Sequence, residues 1–367
     1  MYKYDKRIVM TLDAGGTNFV FSAIQGNKEV VTPIILTACP EDLDLCLQTL
    51  VFGFRQVEQQ LEQKPVAISF AFPGPADYVD GVIGDLPNFP AFRGGVALGK
   101  YLENEFGVPV YINNDGNLFA YGEALAGVLP ELNDKLKESG SEKRFTNLIG
   151  ITLGTGFGAG IVINRELLIG DNGCGGDVWN LRNPYHPEMI AEESVSIRAV
   201  KRGYAELSGI EDETLTPKDI CEIADGLKDG DKIAAKTSFE RLGHTLGDVI
   251  ASVLTLIDGI VVIGGGLSGA AKYILPAVME ELEGTLGTFS GMSFPRLQMR
   301  VLDIGDEKQL TELLQPEVES IKVYGTDSWA PYIKAKKTGI AISRLGASQA
   351  VALGAYAFAL NELDKVE

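Results

Sequence analysis

Asp13-Ala-Gly-Gly-Thr-Asn18 and Gly154-Thr-Gly-Phe-Gly158 decide the fold. The first turn closes the apolar run IVMTLDAGG and leads into FVFSAIQG; the second follows the apolar run 145–153 and leads into AGIVIN. Strand, glycine turn, strand, found twice in one chain, is a weak internal duplication that implies two related halves facing each other across a cleft. In the first turn a strand ends in the carboxylate of Asp13, Gly15 and Gly16 let the backbone approach an anion closely, and Thr17 adds a hydroxyl donor. A lone glycine pair is more readily a plain hairpin turn. Two such turns change that balance, because facing loops can grip the phosphates of one nucleotide from both sides while Asp13 helps hold Mg²⁺.

Working outward, the opening strands read as an antiparallel hairpin extended by a third strand, EVVTPIILTA, with a helix over about 41–61. Residues 66–72 form a buried strand ending at PGPAD, and 107–112 another ending at Asn113-Asn114-Asp115. Open α/β sheets place ligands at such C-terminal strand ends. Residues 129–144 read as a polar surface excursion, and 177–258 as mainly helical. A strand at 260–263, a helix over about 270–286, an insertion over 304–338 and a final helix over about 347–360 complete the chain. The predicted organisation is an N-terminal α/β domain of residues 1–117, joined by the C-terminal helix at about 345–362, and a larger α/β domain of residues 118–344 with a helical subdomain.

A net charge of −18 repels nucleic acid and anionic lipid over most of the surface, and a neutral substrate fits better. The N-terminal residues enter a short strand directly, without the apolar segment of a secretory signal, and no apolar run reaches membrane-spanning length. Cys39, Cys46, Cys174 and Cys221 make no CxxC pair, which points to a reducing, cytoplasmic setting. Histidine chemistry is scarce, since the chain has only His186 and His244. On the helix expected over 231–258, Phe239, Leu242, Leu246, Val249, Val253 and Ile257 form the apolar stripe, leaving His244 on the polar face as a solvated residue.

Asp115 stands just past a strand and ahead of a helix expected over 118–125, where a carboxylate can accept a proton from a hydroxyl attacking a γ-phosphoryl group. An aspartate before a helix is also a commonplace N-cap, and taken alone that reading is the stronger. With two phosphate loops in the same chain, the base is favoured. Gly264, Gly265 and Gly266 end a strand ahead of a helix and let a flat ligand lie against backbone, or make a tight turn. Two nucleotide motifs fail on context. Residues 94–100 fit GxxxxGK but place Tyr101 where Ser or Thr must follow, and the GxGxxA match at 154–159 runs into a strand where a dinucleotide loop must open a helix.

Taken together, DAGGTN at 13–18, FPGPAD at 72–77, LPNFPAF at 86–92, NNDGNLFAYGE at 113–123, LGTGFGAGIV at 153–162 and VVIGGGLS at 261–268 make the chain resemble the ROK family of sugar kinases and sugar-responsive repressors, within the actin, hexokinase and heat-shock ATPase superfold. The resemblance implies a two-domain α/β fold of ribonuclease H-like type and a glucokinase-like enzyme that uses ATP and Mg²⁺ to phosphorylate a hexose, with Asp115 on the catalytic position. It assigns Asp13, Gly15, Gly16, Thr17 and Asn18 to the first phosphate loop, Gly154, Thr155, Gly156 and Gly158 to the second, and Gly264 to Gly266 to adenosine. Gly74, Asn88, Asn114, Asp115 and Glu192 fall among sugar-binding positions, and protomers of the family pair as homodimers.

The chain departs from the family where AGEIGH is usual and Gly175-Gly-Asp-Val-Trp-Asn180 stands instead, so Asp177 and Asn180 must contact the sugar differently. The family's zinc site, a histidine with a CxCGxxGC run, has no counterpart, which predicts no structural zinc. The first phosphate loop begins at residue 13, which speaks against a DNA-binding extension and the repressor branch. The rival function is a non-catalytic sugar sensor on the same fold; an ATPase acting on protein partners lacks any feature to support it.

Overall fold

The computed structural model describes residues 2–15, 17–74, 76–84, 89–315 and 318–366. The chain divides into two compact units, the first made of Met1–Pro130, Ala159–Gly176 and Arg344–Glu367, the second of Glu131–Gly158 and Asp177–Ser343.

In the first unit, Val9 to Leu12 are all buried, as a strand covered on both faces must be, and β1 (Val9–Ala14) holds a central place in its sheet. It pairs antiparallel with β2 (Asn18–Gln25), which in turn carries two short strands, β3 (Lys28–Glu29) and β4 (Ile34–Thr37). Then follow α1 (Leu43–Glu58), β5 (Ala67–Ala71), the small hairpin of β6 (Ala76–Asp77) and β7 (Val82–Ile83), α2 (Leu98–Phe106), β8 (Val110–Asn113) and α3 (Asp115–Leu125). Strands β1, β5 and β8 run parallel, so Asp13, Ala71 and Asn113 line up across one edge of the sheet. One face of this sheet packs through a phenylalanine-rich core that includes Phe21, Phe54 and Phe70. The other face meets the C-terminal helix (Ala347–Val366) through Val9, Ile24, Ala67, Tyr356 and Leu360.

The sequence boundary at 117/118 falls inside α3, whereas the helix stays whole with the first unit. Every residue from Gly116 to Leu125 is buried, and the helix crosses the C-terminal helix at backbone contact distance. A Cβ at Gly122 would lie 1.9 Å from the Ala350 carbonyl oxygen, and one at Gly354 1.8 Å from that of Leu118. The chain continues through α4 (Val128–Glu138) and β9 (Leu148–Leu153), then along β10 (Phe157–Ile163), whose end forms a hairpin with β11 (Glu166–Leu167) in the first unit. Segment 129–144, expected to be a polar excursion, is therefore corrected: most of it is helix, and Leu129, Leu132 and Leu136 give it a narrow buried stripe between charges.

The second unit holds α5 (Ile197–Ser208), α6 (Pro217–Asp225) and α7 (Lys232–Ile257), capped by Asp231 and ended by Asp258 in the left-handed region. Beyond it lie β12 (Ile260–Gly264), α8 (Ala271–Glu283), the hairpin of β13 (Thr285–Gly287) and β14 (Ser293–Pro295), β15 (Arg300–Asp303), α9 (Glu307–Leu314), the hairpin of β16 (Glu319–Lys322) and β17 (Trp329–Tyr332), and β18 (Lys337–Ile342). Strands β9, β12, β18 and β15 form a parallel array in that order. The insertion read over 304–338 is thus narrower than expected. Lys337 and Thr338 already belong to a central strand, and Leu313 of α9 is buried. No described helix is long and apolar enough to cross a membrane.

Gly354→Ala is expected to cost about 1–3 kcal/mol through overpacking against the Leu118 carbonyl. Gly269→Ala, where a Cβ meets nothing within 4 Å, is expected to leave the thermal midpoint unchanged; calorimetry of the two variants checks the pair.

Candidate active site

The first glycine turn is a tight hairpin connection. Ala14 and Phe19 form the last pair of the ladder, and the Gly15 N–H donates to the Asn18 carbonyl at 3.0 Å. Asp13, Gly15, Thr17 and Asn18 are all exposed at the C-terminal end of β1, while Gly16 lies outside the described residues. At the same sheet edge, β5 runs out toward Gly74, whose neighbour Tyr78 donates its hydroxyl proton to the Phe72 carbonyl at 3.0 Å. Asn88 also lies outside the described residues.

Past the end of β8, the cap and the carboxylate are separate residues. Asn114 is the N-cap of α3, its side chain accepting from the Asn117 N–H at 2.6 Å, and Asp115 is the first helical residue. The reading of Asp115 as a cap is thereby removed. One Asp115 oxygen accepts from the Gly116 N–H at 2.9 Å, and no cationic side chain pairs with it among the described residues. Solvent reaches the side chain, yet the protein packed around it governs its acidity: desolvation pushes the carboxyl above the ordinary aspartate range. Backbone N–H groups of Gly116 and Asp115 pull it down, and the charge of Asp13 adds a further upward push.

In the second unit the other glycine turn meets the triple glycine. Gly264 pairs beside Thr152, and Gly265, at φ +90°, passes so close to β9 that a Cβ would lie 2.4 Å from the Leu153 carbonyl. The turn is braced from its far side. The Glu192 carboxylate accepts from the Phe157 N–H at 3.0 Å and pairs with Arg198 at 3.1 Å, Arg198 donates to the Thr155 carbonyl at 3.2 Å, and the Ile197 N–H donates to the Gly154 carbonyl at 2.9 Å. Asp177 precedes a single 3₁₀ turn that ends at Asn180, and both are exposed. Among the described residues, no group of three or more His, Cys, Asp or Glu side chains is placed to hold a metal ion. The hard, exposed oxygens of Asp13 and Asp115 suit Mg²⁺, which keeps several waters and takes few protein ligands.

A family model described as the ROK family matches residues 9–300. The chain belongs to the ROK family. This ROK chain is 58% identical to a glucokinase from Parabacteroides distasonis whose crystal structure superposes with a TM-score of 0.89, covering 98% of this chain and 99% of that one. It is 28% identical over 310 residues to an N-acetyl-D-glucosamine kinase of Vibrio atlanticus, covering 77% of this chain and 97% of the relative. A ROK glucokinase from Streptomyces griseus, solved with glucose and AMPPNP, shares the fold at 17% identity and a TM-score of 0.60, covering 95% of this chain and 98% of that one.

Within this ROK chain the first unit brings together Asp13, the first glycine turn, Gly74, Asn114 and Asp115. The second brings together Gly154–Gly158, Gly264–Gly266 and Glu192. Arg198 was not foreseen, because its partners lie both near it and 43 positions away, a spacing that carries no local pattern. His244 is corrected: half-buried, its Nδ1 lies 3.1 Å from Glu281 Oε1, a partner on another helix that the polar face of α7 alone does not reveal.

Asn114→Ala should remove the α3 cap and destabilise the protein by about 1 kcal/mol. Asp115→Asn should leave the cap intact; comparing the two thermal midpoints tests the assignment.

Proposed function

We propose that this chain transfers the γ-phosphoryl group of ATP to a hexose or hexose derivative, at the 6-hydroxyl, with Asp115 as the general base. The observation that carries the reading is the place of Asp115. It is a carboxylate of raised pKa, without a cationic partner among the described residues, at the start of a buried helix on the sheet edge that also carries Asp13 and a glycine turn. As the sugar oxygen forms its bond to phosphorus, Asp115 takes the hydroxyl proton, and the bond from phosphorus to the β-phosphate oxygen breaks to release ADP.

The two glycine turns, with Thr17 and Thr155 exposed on them, support phosphate binding, and the run Gly264–Gly266 supports adenosine. Mg²⁺, held by Asp13 through water, would neutralise charge on the β- and γ-phosphates. For the sugar the reading uses Gly74, Asn88, Asn114, Asp177, Asn180 and Glu192. Asn114 spends its side-chain oxygen on the cap but keeps its amide donors. Glu192 has acceptor capacity left beyond Phe157 and Arg198, so one carboxylate can touch both a sugar hydroxyl and the second glycine turn. A homodimer belongs to the same reading, and light scattering in solution tests it.

ADP release should be measured with Mg-ATP against glucose, mannose, fructose, allose, N-acetylglucosamine and N-acetylmannosamine. Turnover with one sugar is expected; no turnover with any of them, with ATP and sugar both bound, would leave a sensor. Asp115→Asn should lower kcat by about 10²–10⁴-fold while sugar affinity holds. Activity needs the ionised form, so kcat/KM should fall as pH drops through the Asp115 pKa, above the ordinary aspartate value of about 4. Arg198→Met should loosen the second turn and raise KM for ATP several-fold with the thermal midpoint little changed, as expected for an exposed ion pair.

A further inference from the structure

Away from these residues, the second unit contains a cavity of about 820 Å³ between the segment 185–194, α5 and α7. Its size falls in the range of small-molecule sites. Its lining sets the guanidiniums of Arg202 and Arg241 beside the carboxylates of Glu193 and Glu206, with both of the chain's histidines, His186 and His244, on the same wall. Met189, Ala199 and Leu242 supply an apolar wall.

The ion pairs of the two arginines are long ones. Arg202 Nη1 lies 3.4 Å from Glu193 Oε2, and its Nη2 donates to the Glu193 carbonyl. Arg241 Nη1 lies 3.3 Å from Glu206 Oε2. The two ion pairs are long contacts between half-exposed side chains, which contribute at most about 1 kcal/mol each and can exchange for another anion, while the bond to the Glu193 carbonyl keeps Arg202 in place. A planar guanidinium gains most from the paired oxygens of a phosphoryl group. Glu281 ties the cavity wall together from outside, accepting from the Tyr185 hydroxyl at 2.8 Å and facing His244 Nδ1.

We propose that this cavity binds a small organic phosphate, with Arg202 and Arg241 on the phosphoryl oxygens and the carbon body against Met189 and Leu242. The site borders the braced glycine turn, because Glu193 pairs with both Arg202 and Arg198. It stands whether or not the chain is a kinase.

Since both of the chain's histidines line the cavity, their imidazole signals at fixed pH report its occupancy. The full chain, labelled with ¹³C in histidine, should be titrated with glucose 6-phosphate, glycerol 3-phosphate, inorganic phosphate and glucose while both imidazole resonances are followed. Saturable shifts of both signals are expected with the two organic phosphates, weaker ones with inorganic phosphate, and none with glucose. Arg241→Gln and Arg202→Gln should each weaken the organic phosphates by about tenfold or more. The proposal is overturned by an absence of shifts at millimolar organic phosphate, by equal shifts with glucose or inorganic phosphate, or by affinity unchanged in both variants.

Discussion

The close approach of α3 to its neighbours fixes everything the first unit can do. At its first turn, a Cβ on Gly116 would lie 2.6 Å from the Ala159 carbonyl of β10; at its middle, Gly122 meets the main chain of the C-terminal helix. Contacts made backbone to backbone leave a helix no room to rock, since there is no flexible side chain to yield. Asp115 therefore inherits its position from the main chain. That matters for the general base we propose, because a displacement of about 1 Å can cost about a hundredfold in rate.

The two units treat charge in a consistent way. With 50 acidic and 32 basic residues, the chain has little excess cation to offer a polyphosphate. On the proposed reading it offers amide dipoles in glycine turns, which attract an anion without adding a counter-charge that must itself be neutralised when the ligand leaves. Arg198, the guanidinium that touches the second turn, is engaged with carboxylates on both sides. It acts on the shape of the turn more than on its charge.

Much of this was legible in the sequence, and the failures share a cause. Helix α7 was readable almost to the residue, because a long apolar stripe and aspartates at both ends mark it. The glycine turns and the polar ends of β5 and β8 were readable because each is a local pattern. Helix α4 was lost because three leucines in a charged segment carry a weak signal, and β18 was lost because it is short and opens on Lys337, a charged residue in a buried strand. The separation of cap and carboxylate at 114 and 115, the brace of Glu192 and Arg198, and the pairing of His244 with Glu281 are relations between positions. A single sequence shows positions, and tertiary packing alone shows which of them meet.

The C-terminal helix carries a consequence for how the molecule is made. It supplies Tyr356, Ala359 and Leu360 to a core whose other half is Val9, Ile24 and Ala67, and Arg7 reaches across to Asp364 at 2.6 Å. Strands β1, β2 and β5 thus wait for partners that are synthesised far later in the chain. During that interval an apolar seam faces solvent or a holding chaperone, and closing it is a contact of very long sequence separation, the kind that slows folding. The second unit has its strands and helices complete by residue 343 and can condense first, so assembly of this chain runs from its middle outward.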